Sequence, residues 1–396
     1  MKKIISITLI FLMLLSLFGC TNNDIPSSTD ENTSTMLPET QDTTVPDGPD
    51  QNDPDLMTYE NLISVSMPSV TEPGTAEDGT HIFTYIFQSI QLSVPDPEVA
   101  EKVINDFRNK IEQTRADAQA VFNTALEDHS SGKSTSYLYE ILYAPTRIDQ
   151  GVLSLFGKIT VIDGSANSGQ FSISANYDLV TGDVLTLGSI LYHADKKEDL
   201  CQLVVDHLKE RTDIELFDEF EEYVQERFSK DESKEEGFYF DSVGLCFYFS
   251  PYEIGPRSSG VIIACVPYEN LIGIISDEYF PSEKQETTAN ISIVDFENAD
   301  LEKYDQYAEA IFGFNNMYII NADATIFDIQ ITQHIDGEEM MIFAANCLTE
   351  RDAILLQTDE NPSSAEIIFS YQSGDNTFQY RVTLDQSGKL VFEEVQ

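Results

Sequence analysis

The chain has 396 residues with a formal net charge of -47, from 22 Lys and Arg against 69 Asp and Glu. Such an excess of acid argues against nucleic acid and anionic lipid surfaces as electrostatic partners and permits a cationic one, the alternative being that it only keeps a surface protein soluble. The folded part is long enough for two or three domains.

The first residues set an address. Lys2 and Lys3 precede an apolar run from Ile4 to Phe18, broken only by Ser6, Thr8 and Ser16. It is too short to span a membrane and fits a secretory signal. Leu17-Phe18-Gly19-Cys20 looks like a bacterial lipobox, which makes residues 1–19 the signal peptide and Cys20 the lipidated mature N-terminus. Losing Lys2 and Lys3 takes the mature charge to -49 (-47 minus 2). Two acyl chains anchor firmly, at roughly 0.8 kcal/mol per buried methylene. From Thr21 to Met57 there is no Lys, Arg or aromatic residue. Residues 20–57 therefore read as an acidic Ser/Thr/Pro stalk that cannot bury enough apolar surface to order itself; its span is roughly 35 Å.

Residues 58–145 predict a small α+β domain. Strands are expected over His81–Phe87 and Ile90–Val94. A long helix follows, with Asp96 as cap, Pro97 in its first turn and a stripe from Val99 through Phe107, Ile111 and Phe122 to Ala125. Residues 146–282 predict a second α+β domain, with strands at Val152–Ile162 and Gln170–Leu179. A helix is expected behind an Asp195/Glu198 capping box, burying Leu200, Leu203, Val204, His207 and Leu208. Another is expected over Glu215–Lys230, with Phe217, Phe220, Val224 and Phe228 inside. Two strands flank the stretch Ser250-Pro251-Tyr252-Glu253-Ile254-Gly255-Pro256. Ser282–Asn290 reads as a linker. Residues 287–396 predict a separate, mostly β domain led by a helix near Leu301–Phe312, with alternation at Phe327, Ile329 and Ile331 and at Phe378, Tyr380 and Val382. The expected fold class is thus α+β: an antiparallel sheet with segregated helices, followed by a mostly β C-terminal domain.

The chemistry-bearing residues do not assemble into a catalytic motif. His81, His129, His193, His207 and His334 show no metal-ligand spacing, no Gly-x-Ser-x-Gly elbow is present, and Asp163-Gly164-Ser165 departs from a calcium loop. No metal and no cofactor is expected. Cys246 and Cys265 lie equidistant from a turn near Gly255 and Pro256, so a bridge between them is open; buried free thiols are the expectation, as for Cys201 and Cys347. Tyr252, Glu253 and Arg257 are the candidate ligand contacts, with Tyr252 also readable as a corner tyrosine bonded to backbone. Asp178, Asp241 and Glu253 are the carboxylates of an alternative reading as an accessory or cryptic peptidoglycan-modifying hydrolase.

The stretches "YEILYAPTRIDQGVLSLFGKITVIDGSANSGQFSISANYDLVTGDVLTLGSIL" and "FYFDSVGLCFYFSPYEIGPRSSGVIIACVPYENL" resemble the RsiV-like extracellular domain of unknown function. That domain also precedes the catalytic domain of PdaC-type peptidoglycan deacetylases. Residues near "VPDPEVAEKVINDF" resemble the small domain before it, so the likeness covers about Tyr59 to Tyr279. The resemblance implies a non-enzymatic lipoprotein on the outer face of a Gram-positive cytoplasmic membrane, binding a lysozyme-like cationic protein or peptidoglycan. Gly164-Ser165-Ala166-Asn167 stands where relatives carry a Gly-Gly-Ala-His turn, and Arg257 where an aromatic is usual.

Overall fold

The computed structural model describes residues 62–395, apart from 134–135, 165–168, 230–236, 282–287, 314, 336–337, 359–360, 363–365 and 375. The signal, Cys20, the stalk and the turn residues Ser165, Ala166 and Asn167 therefore lie outside the described residues. Among the described residues no helix is long and apolar enough to cross a membrane.

Chain order begins with β1 (Ser64–Ser66), β2 (Ser69–Thr75), β3 (His81–Gln88) and β4 (Gln91–Ser93). Helix α1 (Pro97–Ser130) leads to β5 (Tyr137–Ile148), β6 (Val152–Ile162) and β7 (Gly169–Asp178). The helix starts where the sequence predicts: the Asp96 carboxylate accepts the Glu98 N–H at 2.8 Å, and Pro97 gives up a donor that has no helical partner anyway. β2, β3, β5, β6 and β7 form one sheet in that order, with β3 and β5 parallel. A parallel pair needs a crossover, and α1 lies within it. The helix buries Val103, Phe107, Ile111 and Ala118 against Tyr85, Tyr139, Ile141 and Tyr143.

A second core follows. It contains α2 (Leu187–Ile190), α3 (Lys196–Glu210), α4 (Phe220–Ser229), β8 (Phe238–Phe240), β9 (Gly244–Phe249) and β10 (Ile262–Pro267). The strands form a three-stranded antiparallel sheet, β10-β9-β8, and β9 is buried along its whole length. Three expectations need correction here. Asp195 makes no capping hydrogen bond, because its own backbone is already helical and the side chain cannot turn back to the first N–H groups. Helix α3 rolls so that Cys201 and Val205 are buried, while Leu203 and His207 stay half-buried. The next helix starts only at Phe220, and Phe217 is 39% exposed. The chain before Phe220 is drawn aside by the Phe217 N–H donating to the Ile254 carbonyl at 2.9 Å.

The C-terminal part contains β11 (Ile291–Asp295), β12 (Gln306–Ile311), β13 (Asn316–Ala322), β14 (Ile326–Ile335), β15 (Glu338–Leu348), β16 (Asp352–Thr358), β17 (Ile367–Ser373), β18 (Asn376–Leu384) and β19 (Leu390–Glu394). The helix expected near Leu301–Phe312 is instead a 3-10 turn followed by β12, which pairs in parallel with β16. The segment Tyr307 to Phe312 buries Ala308 and Ala310, an alternation that suits a sheet edge better than a helix. Phe327, Ile329 and Ile331 do face the core, as the alternation predicts.

The fold is α+β with a β-rich C-terminal part. Its larger sheet runs β19-β18-β17-β14-β15-β1-β4, so two strands from before α1 complete it. β1 is buried along its whole length: Val65 joins the core under α1 while Leu62, just before the strand, joins the C-terminal core. The Ile63 N–H donates to Asn346 Oδ1 at 2.8 Å, which ties the chain entry to β15.

Candidate functional site

The loop between β9 and β10 is braced from both sides. Cys246 and Cys265 face each other in register and form a disulfide, so the expectation of free thiols is corrected. Strand pairing sets the two Cβ atoms opposite each other, which is what a bridge requires. Cys201 and Cys347 are free and buried, and desolvation pushes the Cys347 thiol up to about 12.

Inside the loop, Ser250-Pro251-Tyr252-Glu253 makes a tight turn in which the Glu253 N–H donates to the Ser250 carbonyl at 3.0 Å. Proline in the second place and a positive φ in the third, 72° at Tyr252, match the type II pattern, which favours glycine there. The Glu253 carboxylate holds the turn by accepting the Ser250 N–H at 2.7 Å and Arg227 Nη1 at 2.9 Å. Arg227 also donates to the Tyr248 carbonyl at 2.8 Å and lies over the Phe249 ring, 4.8 Å from its centroid. Ile254 is fully buried and pins the far side. A Cβ on Gly255 would come within 2.5 Å of the Glu215 carbonyl oxygen, so glycine is required for the two segments to touch. Ser259 Oγ donates to that same carbonyl at 3.0 Å.

The three candidate contacts therefore part company. Tyr252 is 64% exposed and its hydroxyl has no hydrogen-bond partner among the described residues, so it is not a tyrosine tied back to backbone. Glu253 is a half-buried brace. Arg257 is exposed in the 3-10 turn Arg257–Ser259 that leads into β10.

Asp178, Asp241 and Glu253 serve separate turns. Asp178 accepts the Val180 and Thr181 N–H groups at 2.7 and 3.0 Å, and Asp241 accepts Ser242 N–H and Oγ at 2.6 and 3.0 Å. Among the described residues no group of three or more His, Cys, Asp or Glu is placed to hold a metal.

Sequence reasoning passed over one residue, Arg147. It is almost fully buried, donating through Nε to Asp149 at 2.6 Å and through Nη1 to Tyr268 Oη at 2.8 Å and the Tyr279 carbonyl at 2.6 Å. Its guanidinium lies 5.5 Å from the centroids of both Phe240 and Tyr268. It ties β5 to the chain after β10. Only its place in "APTRID", an arginine amid apolar strand residues, signalled it.

Comparison with known proteins bears on this second core. Residues 185–269 match DUF3298, a protein family of unknown function. The match runs from the start of α2 past β10, inside residues 146–282 where the resemblance placed its domain of unknown function. The chain is also similar to a solved DUF3298-family protein from Bacteroides fragilis, with 17% identity and a TM-score of 0.40, over 55% of this chain and 94% of that one. A DUF3298-family structure from Pseudomonas aeruginosa PAO1 aligns with 15% identity and a TM-score of 0.37, over 55% and 97%. No curated protein matches the sequence.

Proposed function

We propose that this chain is a non-enzymatic surface lipoprotein, held by Cys20 at the outer face of the cytoplasmic membrane, whose DUF3298-matching core binds a cationic, lysozyme-like protein. The observation that carries this reading is Tyr252, an exposed aromatic kept at a turn position that favours glycine. A side chain in that left-handed region costs about 1–2 kcal/mol relative to a relaxed backbone. A rigid, projecting tyrosine is the kind of side chain that anchors protein interfaces. Around it the chain carries a charge of -47, which speeds encounter with a basic partner.

The test is a titration of the full chain with lysozyme and, separately, with purified peptidoglycan, at low and at near-physiological salt. Binding to lysozyme that survives the higher salt, and weakens roughly thirtyfold in Tyr252→Gly, is the expected outcome. Tyr252→Gly removes the ring and also relieves the backbone, so its fold should be at least as stable as the wild type. Binding that vanishes as salt rises, or that ignores Tyr252→Gly, would refute the reading, because bulk charge alone behaves that way. Retention on peptidoglycan without lysozyme binding would move the ligand to the wall.

A further inference from the structure

A cleft of about 250 Å³ opens where the β5–β6 corner and the loop after β8 face β14, β15 and β17 of the C-terminal sheet. Nothing in the loop around Tyr252 contributes to it. One part of its lining is apolar, with Pro145, Phe327 and Met341. The rest is rich in carboxamides, from Gln150, Gln330 and Gln372, joined by the carboxylates of Asp241 and Asp328. Gln150 is exposed and Gln330 half-buried, and neither side-chain amide has a hydrogen-bond partner among the described residues.

The sheet is distorted at this point. The pairing of β14 with β17 slips between Phe327 and Gln330, and Asp328 there has a φ of 46°. A bulge re-aims the side chains around it, and such features gather at binding sites. Here the neighbours Phe327 and Asp328, which would face opposite sides of a regular strand, both line the cleft, together with Gln330.

Charge narrows the ligand class. The cation in the lining is Arg147, whose Nε and Nη1 are committed to Asp149, Tyr268 and Tyr279. Against it stand Asp149, Asp241 and Asp328, so the cleft carries three carboxylates to one guanidinium. An anion is repelled. Carboxamides both donate and accept hydrogen bonds, and carboxylates accept them from hydroxyls. An apolar surface beside such groups fits a molecule with C–H faces and a rim of hydroxyls. We infer that this cleft binds an uncharged sugar unit, of a size that lies near the lower limit of roughly 300 Å³ for small-molecule sites.

Calorimetric titration of the full chain with N-acetylglucosamine, glucose and glucuronate tests the inference. Saturable binding of a neutral sugar is expected, with glucuronate at least tenfold weaker. Gln330→Ala should weaken the neutral sugar at least tenfold while leaving the urea midpoint unchanged, because its amide carries no internal bond. Gln150→Ala, on the exposed rim, serves as the second variant. A short oligomer that binds more tightly than its monomer would assign the site to glycan strands, and equal affinity would assign it to free sugar; both uphold it. No saturable binding of any neutral sugar, glucuronate binding as well as glucose, or indifference to both glutamine variants would overturn it. Tyr252→Gly must leave sugar binding intact, which separates this site from the loop; a loss there would equally refute the cleft.

Discussion

Replacing both Cys246 and Cys265 with alanine should destabilise the protein by about 3 kcal/mol. The bridge closes a loop of sequence separation 19, and cross-linking such a loop removes roughly 11 cal/mol/K of chain entropy from the unfolded state. At room temperature that is about 3 kcal/mol, more than hundredfold in the folding equilibrium. The effect acts on the unfolded chain, so the urea midpoint should fall and the denaturant slope should rise as the uncrosslinked chain exposes more surface. The melting shift also reports cooperativity. If Thr58–Gln396 (396 minus 57, or 339 residues) melts as one unit, the shift is about 5 °C; if residues 146–282 melt alone, it is about 10 °C. The assay is urea and thermal unfolding of the wild type and the double variant, with and without dithiothreitol. Reductant should lower the wild type to the level of the variant and leave the variant where it is. A loss below about 1 kcal/mol, or a reductant effect that persists in the variant, would refute the reasoning.

Three further outcomes follow from the buried groups. Arg147→Met should cost about 3 kcal/mol in urea unfolding, because it takes the guanidinium from Asp149, which keeps its two backbone donors, and the donor from the Tyr268 hydroxyl and the Tyr279 carbonyl, and Arg147→Lys should not restore the loss. A near-neutral result for Arg147→Met would show that the node is not a brace. Gly157→Ala should cost about 3 kcal/mol or more, since the added Cβ would overlap the Leu142 carbonyl oxygen across the β5–β6 pair; unchanged stability would mean that the pair spreads freely. Burial pushes Tyr239, Tyr268 and Tyr279 up to about 12 from an ordinary 10, and Cys347 up to about 12 from 9. These acids are raised in the folded state, so their stability is fully present below the unfolded values and is lost as pH climbs from about 9 towards 12. Unfolding followed by circular dichroism should therefore set in within that window, and a structure that persists unchanged to about pH 12 would contradict it.

Periodicity made the elements with strong local patterns legible. Helix α1 announces itself through Asp96, Pro97 and a long apolar stripe, and β14 through the alternation of Phe327, Ile329 and Ile331. Short segments with mixed signals were not legible. Leu301–Phe312 offers apolar residues at spacings that serve a helix or a strand, and only the partner β16 decides between them. Glu215–Phe220 has helical composition but is captured by the loop it lies against, a tertiary contact that no local pattern carries.

The candidate site divides along the same line. Pro251, Gly255 and Pro256 identify a corner from composition alone, and the spacing of Cys246 and Cys265 left a bridge open. What the sequence withholds is which residue of Tyr-Glu points outward. That depends on Arg227, 26 positions away, which draws Glu253 inward and leaves Tyr252 to take the positive φ. The distant partner is also what makes the cleft invisible in one dimension. Its lining comes from residues 144–150, 241–242, 281, 327–330, 341, 344–346 and 372, segments far apart in sequence that β1 helps to bring together by pairing beside β15 while Val65 enters the core under α1. β1 is three residues long, and Ser64-Val65-Ser66 has too few apolar positions to show a period. Its register, with Val65 opposite Ala344, is fixed by burial on both faces at once, so a short strand with no local signal helps to set the arrangement on which this cleft depends.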